Sequence, residues 1–295
     1  MPAAPPETPP DDPVGASGKS VWPGQTAEQA LRHITLACAE DFARHLAALT
    51  ESDAPEGPHR ARIALRQLRT ALAGMARLIN RPARAAVEAE ARRLFRLLGH
   101  WRDADILMQH DTTAALAADR AADRAARAAA IRTEVRAALV QAGADRFAPA
   151  LRARFAGDGW HRRGHKAARR RRAPVTGIAR RALRRAWKRC TAHRGGIRAM
   201  SDAERHAFRK DAKALRYLSD FFRRLWPGRR ADRFRDRLET LQDALGMLND
   251  LATIRARTTP GHPLARTAPD KRARKALRRS ERDWRRLRKA GVPGV

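Results

Sequence analysis

Apolar residues recur along this chain at steps of three and four, and no stretch alternates convincingly with period two. That spacing lays them along one side of a helix, whereas a half-buried strand needs alternation. The first clear run follows Thr26-Ala-Glu-Gln29, a capping box in which the Thr side chain accepts from a first-turn N–H and the Gln reaches back. Leu31, Ile34, Cys38, Phe42 and Leu46 then share one face. Further helices are predicted at about 58–80, 83–110 and 111–142, with a short piece at 147–155. Gly157-Asp-Gly159 breaks the chain, and His161 to Pro174 holds seven Lys/Arg and no acid. Helices are predicted again at about 175–192, 202–226, 230–257 and 270–289, punctuated by Pro227-Gly228 and by Pro260-Gly261-His262-Pro263. Four amphipathic helices are the usual minimum for one bundle core. The expected fold is therefore all-α, with a first bundle over residues 26–157, a mobile basic linker over 158–174 and a second bundle over 175–290. Residues 1–25, rich in Pro, Gly and acids, are expected to form a disordered leader.

The two groups of helices share motifs. His59-Arg-Ala-Arg62-Ile-Ala-Leu-Arg66-Gln-Leu-Arg69 aligns with His206-Ala-Phe-Arg209-Lys-Asp-Ala-Lys213-Ala-Leu-Arg216 at an offset of 147. Leu98-Gly99-His-Trp-Arg102-Asp103 aligns with Leu245-Gly246-Met-Leu-Asn249-Asp250 at the same offset. Two motifs sharing one offset point to an internal duplication, with the bundles expected to be related by a pseudo-two-fold axis.

Positions i, i+3, i+7 and i+10 fall within about 80° on a helix. His59, Arg62, Arg66 and Arg69 thus form one stripe, and His206, Arg209, Lys213 and Arg216 form another. Ala61, Leu65, Leu68, Leu72 and Met75 in the first copy, and Phe208, Ala212, Leu215 and Phe222 in the second, make the faces expected to enter the core. Each stripe is roughly 15 Å long at about 1.5 Å per residue. Like charges at these spacings repel, so a stripe kept in both copies fits a negative, extended ligand, and Arg suits phosphate because its planar fork donates two parallel hydrogen bonds. Salt bridging to neighbouring helices is the plain structural reading of the same residues. For His59 and His206 both roles stay open: a cap or packing residue, or a donor to phosphate. Arg181, Arg184, Arg185 and Lys188 share a face of the helix at 175–192 and are second-rank candidates for the same groove.

Charge sharpens this picture. The chain has 295 residues, 63 Lys+Arg against 31 Asp+Glu, and a formal net charge of +32. Up to residue 147 there are 20 basic and 18 acidic residues; beyond it there are 43 and 13. The expected partner is a polyanion: nucleic acid, anionic lipid or a phosphate polymer. The last helix carries 11 Lys/Arg and two acids between Lys271 and Lys289, with its charges expected on an outer face. Two cysteines cannot build a disulfide framework. No apolar run is long enough to span a membrane, and no secretory signal is evident, so a cytoplasmic location is expected.

The pattern His-x-x-Arg-x-x-x-Arg-x-x-Arg followed by Leu-Gly-x-x-Arg-Asp, repeated in the second half, resembles the CHAD domain (conserved histidine α-helical domain) over about residues 26–290. The resemblance implies two four-helix bundles related by pseudo-symmetry, binding of inorganic polyphosphate in a basic groove, and association with polyphosphate granules. Carried over by position, it marks His59, Arg62, Arg66, Arg69, His206, Arg209, Lys213 and Arg216 as polyphosphate-binding. A basic residue common in the motif is Gln67 in one copy and Ala214 in the other, and the Arg of Arg-Asp becomes Asn249. Asp103 and Asp250 are expected to orient Arg side chains.

Enzymatic readings find little support. Glu88-Ala-Glu90-Ala-Arg92 superficially resembles the Glu-x-Glu-x-Lys strand of a triphosphate hydrolase domain fused to some relatives, but it lies in a helical pattern that scatters those residues. There is no P-loop sequence. Cys190-x-x-His193 and His161-x3-His165 lack enough ligands for a metal and sit among cations. The expectation is non-enzymatic binding, with no catalytic residues, no metal and no cofactor. Inorganic polyphosphate is the expected partner, with granule-associated proteins as further partners. The alternative is a nucleic-acid-binding or nucleoid-associated protein, although aromatic residues are only 5%, leaving few stacking platforms for single strands.

Overall fold

Capping residues and prolines set where the helices begin. The computed structural model describes residues 18–109, 117–193, 195–257 and 271–295, with side chains throughout except at 102–109, 117–121 and 250–257. The described residues are all-α: ten α-helices and no strand, with one isolated bridge between Ile79 and His161. The helices are α1 (Ala27–Glu51), α2 (Glu56–Gly74), α3 (Arg81–Gln109), α4 (Ala117–Gln141), α5 (Phe147–Ala156), α6 (His165–Arg172), α7 (Val175–Ala192), α8 (Asp202–Phe221), α9 (Arg229–Arg257) and α10 (Lys271–Ala290). The predicted capping box starts α1: Gln29 N donates to Thr26 Oγ1 at 3.2 Å and Thr26 N to Gln29 Oε1 at 2.9 Å. A second box starts α8, where Glu204 N donates to Ser201 Oγ at 3.2 Å and Ser201 N to Glu204 Oε2 at 2.7 Å. Both satisfy N–H groups that the helix itself leaves without acceptors.

The chain divides into two compact units. One runs over Gln25–Ala173 and includes Lys19; in it α1 packs on α2, α5 and α6, α2 on α3, and α3 on α4. Its core holds Leu31, Ile34, Cys38 and Phe42 from α1, and the whole face from Ala61 to Met75 predicted for α2. Leu46 is only half-buried, and Leu49 takes the inward position instead. The other unit runs over Pro174–Val295 with Ser20–Gly24, and packs α7 on α8, α8 on α9, and α9 on α10. Its core is an aromatic cluster. Trp284 lies 4.9 Å from Phe208 and 5.4 Å from Trp187 between ring centroids, and Trp187 lies 6.1 Å from Phe234.

The helix ends differ from expectation where tertiary contacts compete. α2 stops at Gly74 rather than near Asn80. The chain leaves the helix there so that Leu78 and Ile79 enter the core and Asn80 caps α3, its Oδ1 accepting from Ala83 N at 2.8 Å. Residues 158–174, expected as a mobile linker, carry α6, held on α1 by Glu28, which lies 3.2 Å from Arg171 Nε and 3.0 Å from His161 Nε2. A run without acids gives no hint of a partner 143 residues away in the sequence. Of the expected leader, residues 1–17 lie outside the described residues, while Lys19, Ser20 and Val21 are buried. Lys19 Nζ donates to Gln67 Oε1 at 2.7 Å and pairs with Asp41. Val21 N donates to Phe221 O at 2.8 Å.

Trp284 is the hub of the second core, so Trp284→Ala is expected to cost about 3–5 kcal/mol of unfolding free energy. Urea denaturation followed by circular dichroism measures it; a loss below about 1 kcal/mol would mean that the aromatic cluster is not what holds α10.

Candidate functional site

The two stripes sit alike on their helices. His59 and His206 are exposed, while Arg62, Arg66, Arg69, Arg209, Lys213 and Arg216 are all half-buried. Half-burial follows from their place on the helix: the same turns that send Leu65 and Leu68, or Ala212 and Leu215, inward leave the stripe leaning on the next helix, α3 or α9.

On α2 the support is an aromatic ring. The Arg62 guanidinium lies 4.1 Å and the Arg66 guanidinium 5.2 Å from the centroid of Phe95 on α3. Such contacts attract a cation without neutralising it. Arg62 Nη1 also donates to Phe95 O at 3.2 Å. Among the described residues, Arg66 and Arg69 have no carboxylate within ion-pair distance. Burial holds the Arg69 guanidinium below its ordinary value, and the nearby charges of Arg92 and Arg66 push the same way against Glu88. Glu88 itself is shared between Arg84 at 3.8 Å and Arg92 at 3.7 Å. Arg66, Arg69 and Arg92 therefore crowd positive charge with little local compensation, a field that favours an anion.

On α8 the stripe is tied to polar groups. Arg216 Nη2 donates to Glu239 Oε1 at 2.6 Å, its Nη1 to Gln242 Oε1 at 3.5 Å, and its Nε lies 3.7 Å from Asp220. His206 Nδ1 meets Asn249 Oδ1 at 2.7 Å. Because the amide oxygen accepts, Nδ1 carries the proton and Nε2 is left for another partner. Asn249, which stands where the matched sequence motif has Arg102, thus orients the histidine. Burial pushes the Asp220 carboxyl up to about 6, with Glu239 adding to the shift and Arg216 and Arg235 opposing it. The two stripes differ: among the described residues Arg69 has no carboxylate within ion-pair distance, while Arg216 has two.

The Leu-Gly motif has a physical role that the repeat alone did not reveal. Leu98 and Leu245 are buried, and the glycine after Leu98 lets the stripe pass over the helix. A Cβ at Gly99 would stand 2.8 Å from Arg62 Nη1, and one at Gly246 would stand 3.7 Å from Arg209 Nη2. A mid-helix glycine costs roughly 1 kcal/mol against alanine; Gly99 makes room for a guanidinium, whereas a methyl group at position 246 would meet Arg209 at ordinary contact distance. The side chains of Arg102, Asp103 and Asp250 lie outside the described residues, and with them the orienting role expected of the two acids. Phe95, Arg92, Glu239 and Gln242 were not foreseen, since each meets its stripe from a different helix. Gly99 and Gly246 did carry a signal, as glycines inside helical patterns at matched positions.

Arg181, Arg184, Arg185 and Lys188 are all exposed on α7, and none makes a hydrogen bond or ion pair with the α8 stripe among the described residues. Gln67, in place of a common basic residue, accepts from the buried Lys19, so a cation reaches that position from another segment. Both cysteines are buried and their thiols are pushed up to about 12 by that burial, far from thiolate chemistry. Among the described residues, no three His, Cys, Asp or Glu gather as a metal set, and no helix is long and apolar enough to cross a membrane. His193 Nε2 instead meets Asp211 at 3.0 Å.

Fold and site together define an all-α protein with two basic helix faces, each with a glycine on the following helix beside it. The chain belongs to the CHAD domain family, whose model matches residues 33–259. It is similar to the CHAD domain from the plant Ricinus communis, with a TM-score of 0.67 and 22% identity over 94% of this chain and 92% of that one. It is also similar to PptA from Streptomyces chartreusis, with a TM-score of 0.50 and 17% identity over 90% of this chain and 99% of that one. At these identities both likenesses concern the fold. No curated protein sequence matches the chain.

The two glycines should answer differently to alanine. Gly246→Ala is expected to raise stability by about 0.5–1 kcal/mol, the helix-propensity gain. Gly99→Ala should gain none of this, because Arg62 must leave Phe95; equal gains in urea midpoints would deny that contact. Asp220 sets a sign for pH. Its carboxyl holds a proton more tightly folded than unfolded, so its contribution to stability is present below about pH 4 and is lost as pH rises through about 6. From pH 7 to pH 5, Asp220→Asn should therefore gain less stability than the parent chain. A larger gain in the variant would mean that Asp220 acts as an ordinary ion-paired carboxylate.

Proposed function

We propose that the protein binds inorganic polyphosphate, without catalysing its turnover, through the basic faces of α2 and α8. His59, Arg62, Arg66, Arg69, His206, Arg209, Lys213 and Arg216 are the proposed ligand contacts, with Arg181, Arg184, Arg185 and Lys188 on α7 as secondary ones. The observation that carries this reading is the α2 stripe, where guanidiniums are positioned on Phe95 and crowded by like charge, with no carboxylate at Arg66 or Arg69 among the described residues. Fixing long cationic side chains before the ligand arrives lowers the ordering cost of binding. Arg then supplies fork-like bonds to successive phosphates. Membership of the CHAD family supports the same ligand, and a granule-associated, cytoplasmic setting is part of the proposal.

The reading includes an internal duplication, two helical bundles of one ancestry each bearing a stripe, supported by helix bounds: α2 and α8, and α3 and α9, are displaced by close to the 147 residues that separate the sequence motifs. Arg216 contributes only when phosphate competes with Glu239 and Asp220, so the α2 stripe holds polyphosphate more firmly than the α8 stripe.

The test is a polyphosphate titration of the parent chain and of a variant with Arg66, Arg69, Lys213 and Arg216 each changed to Glu. The variant should lose binding while keeping its helical circular dichroism. In the parent, affinity should fall with log salt at about 0.7 per neutralised phosphate, a slope of very roughly 5–6 for eight contacts. Unchanged binding in the folded variant would refute the assignment. Displacement of polyphosphate by equimolar nucleic acid would favour the nucleic-acid reading of the same faces.

A further inference from the structure

Every exposed position of α10 is Lys or Arg, eleven in all. The two acids of the helix are buried, Glu281 7% and Asp283 4% exposed, and pair with cations of the same helix: Glu281 with Arg285 at 2.9 Å, and Asp283 with Arg279 at 3.9 Å and Arg282 at 3.7 Å. Glu281 sits against Gly196, accepting from Arg198 N at 3.3 Å and from Arg285 Nε at 2.9 Å. The opposite face, with Ala273, Ala276, Ser280, Trp284 and Leu287, is buried and packs on α9. Lys271, Lys275, Arg278, Arg282, Arg286 and Lys289 fall within about 80° of one line along the helix. Of these six, only Arg282 has a carboxylate within ion-pair distance among the described residues, Asp283 at 3.7 Å. The other exposed cations flank that line on both sides.

This face differs from the stripes of α2 and α8. Its side chains are exposed rather than half-buried, rest on no aromatic ring, and spread over more than half the circumference of the helix. Its chemistry decides between anionic partners. A bilayer surface takes a basic helix that can also lay an apolar face among the lipids, and here that face is already buried in the fold. A single strand needs bases stacked on aromatic side chains, and the exposed face has none. A rigid double helix needs neither. Its major groove is about 12 Å wide, the width of one α-helix with its side chains, and its phosphates line both walls. A helix with cations along its crest and both flanks, about 30 Å long at about 1.5 Å per residue, meets both walls at once.

We infer that the exposed face of α10 is a second polyanion site, distinct from the stripes of α2 and α8, that binds double-stranded nucleic acid through its phosphates without regard to sequence. Binding rests on charge and counterion release, and α10 carries no side chain suited to reading base edges beyond what any Arg offers.

The test uses the full chain, a 20-base-pair duplex of random sequence followed by fluorescence anisotropy, and two variants. In the first, the six residues on the α10 line become Gln. In the second, Arg66 and Arg69 on α2 become Gln. The parent should bind the duplex with a log–log salt slope near 5, from about 0.9 per neutralised phosphate over six contacts. The α10 variant, with its helical circular dichroism intact, should lose at least about a hundredfold in duplex affinity at low salt, and most of the slope. It should hold polyphosphate within about threefold of the parent, as expected for exposed charges outside the contact face. The α2 variant should keep its duplex affinity whatever it does to polyphosphate, which separates this inference from the proposed function. No duplex binding by the parent, an unchanged slope in the α10 variant, or an equal loss of both ligands in it would overturn the inference. So would binding of anionic vesicles, but not duplex, through the same six residues.

Discussion

A guanidinium beside a carboxylate is already satisfied; one beside an aromatic ring is held in place and still charged. Among the described residues the packing of Arg66 beside Phe95 is of the second kind, and the character of the α2 face depends on it. The ring fixes two long side chains that would otherwise lose rotamer freedom on meeting a ligand. Arg69, one turn on, sits close enough to Arg66 and Arg92 for their charges to weigh on it. Gly99 belongs to the same device, since a methyl group there would occupy the space of Arg62 Nη1. A helix glycine and an exposed-looking Phe, unfavourable or neutral for the helix itself, become intelligible as the seat of a cationic row.

The α8 face has a different electrostatic character. Arg216 is bound to Glu239 and lies near Asp220, and His206 is bound to Asn249. A stripe fastened by carboxylates is rigid and partly neutral. An incoming phosphate must replace an existing partner, and the net gain of such an exchange is smaller than that of filling an open field. Two sequence motifs that match in residue type thus differ in readiness to bind, through residues supplied by α9.

Much of the fold could be read from local pattern. The capping box at Thr26, the apolar face from Ala61 to Met75 and the starts of α7, α8 and α9 all come from signals within one turn or two, where helix physics is local. Misjudged positions are those decided elsewhere in the fold. Leu46 yields its place to Leu49, α2 ends early so that Asn80 can cap α3, and α6 forms where Glu28 reaches across from α1. At the site, the stripe residues were legible because three- and four-residue spacing aligns them. Their partners were not: Phe95 is separated from Arg62, and Glu239 from Arg216, by a full helix and its connection. The charge asymmetry was visible in composition, but only burial shows that α10 turns its two acids inward and leaves its surface wholly cationic.

The protein therefore carries two kinds of basic surface, one built of positioned, half-buried guanidiniums and one of exposed ones. The central claim concerns the first, and the most direct measurement is a crystal structure of the chain grown with a medium-length polyphosphate. Phosphate oxygens within about 3 Å of the Arg66 and Arg69 guanidiniums, with Arg62 still on Phe95, are the predicted result. A polymer ordered only along another surface, with Arg66 and Arg69 bound to solvent, would contradict it.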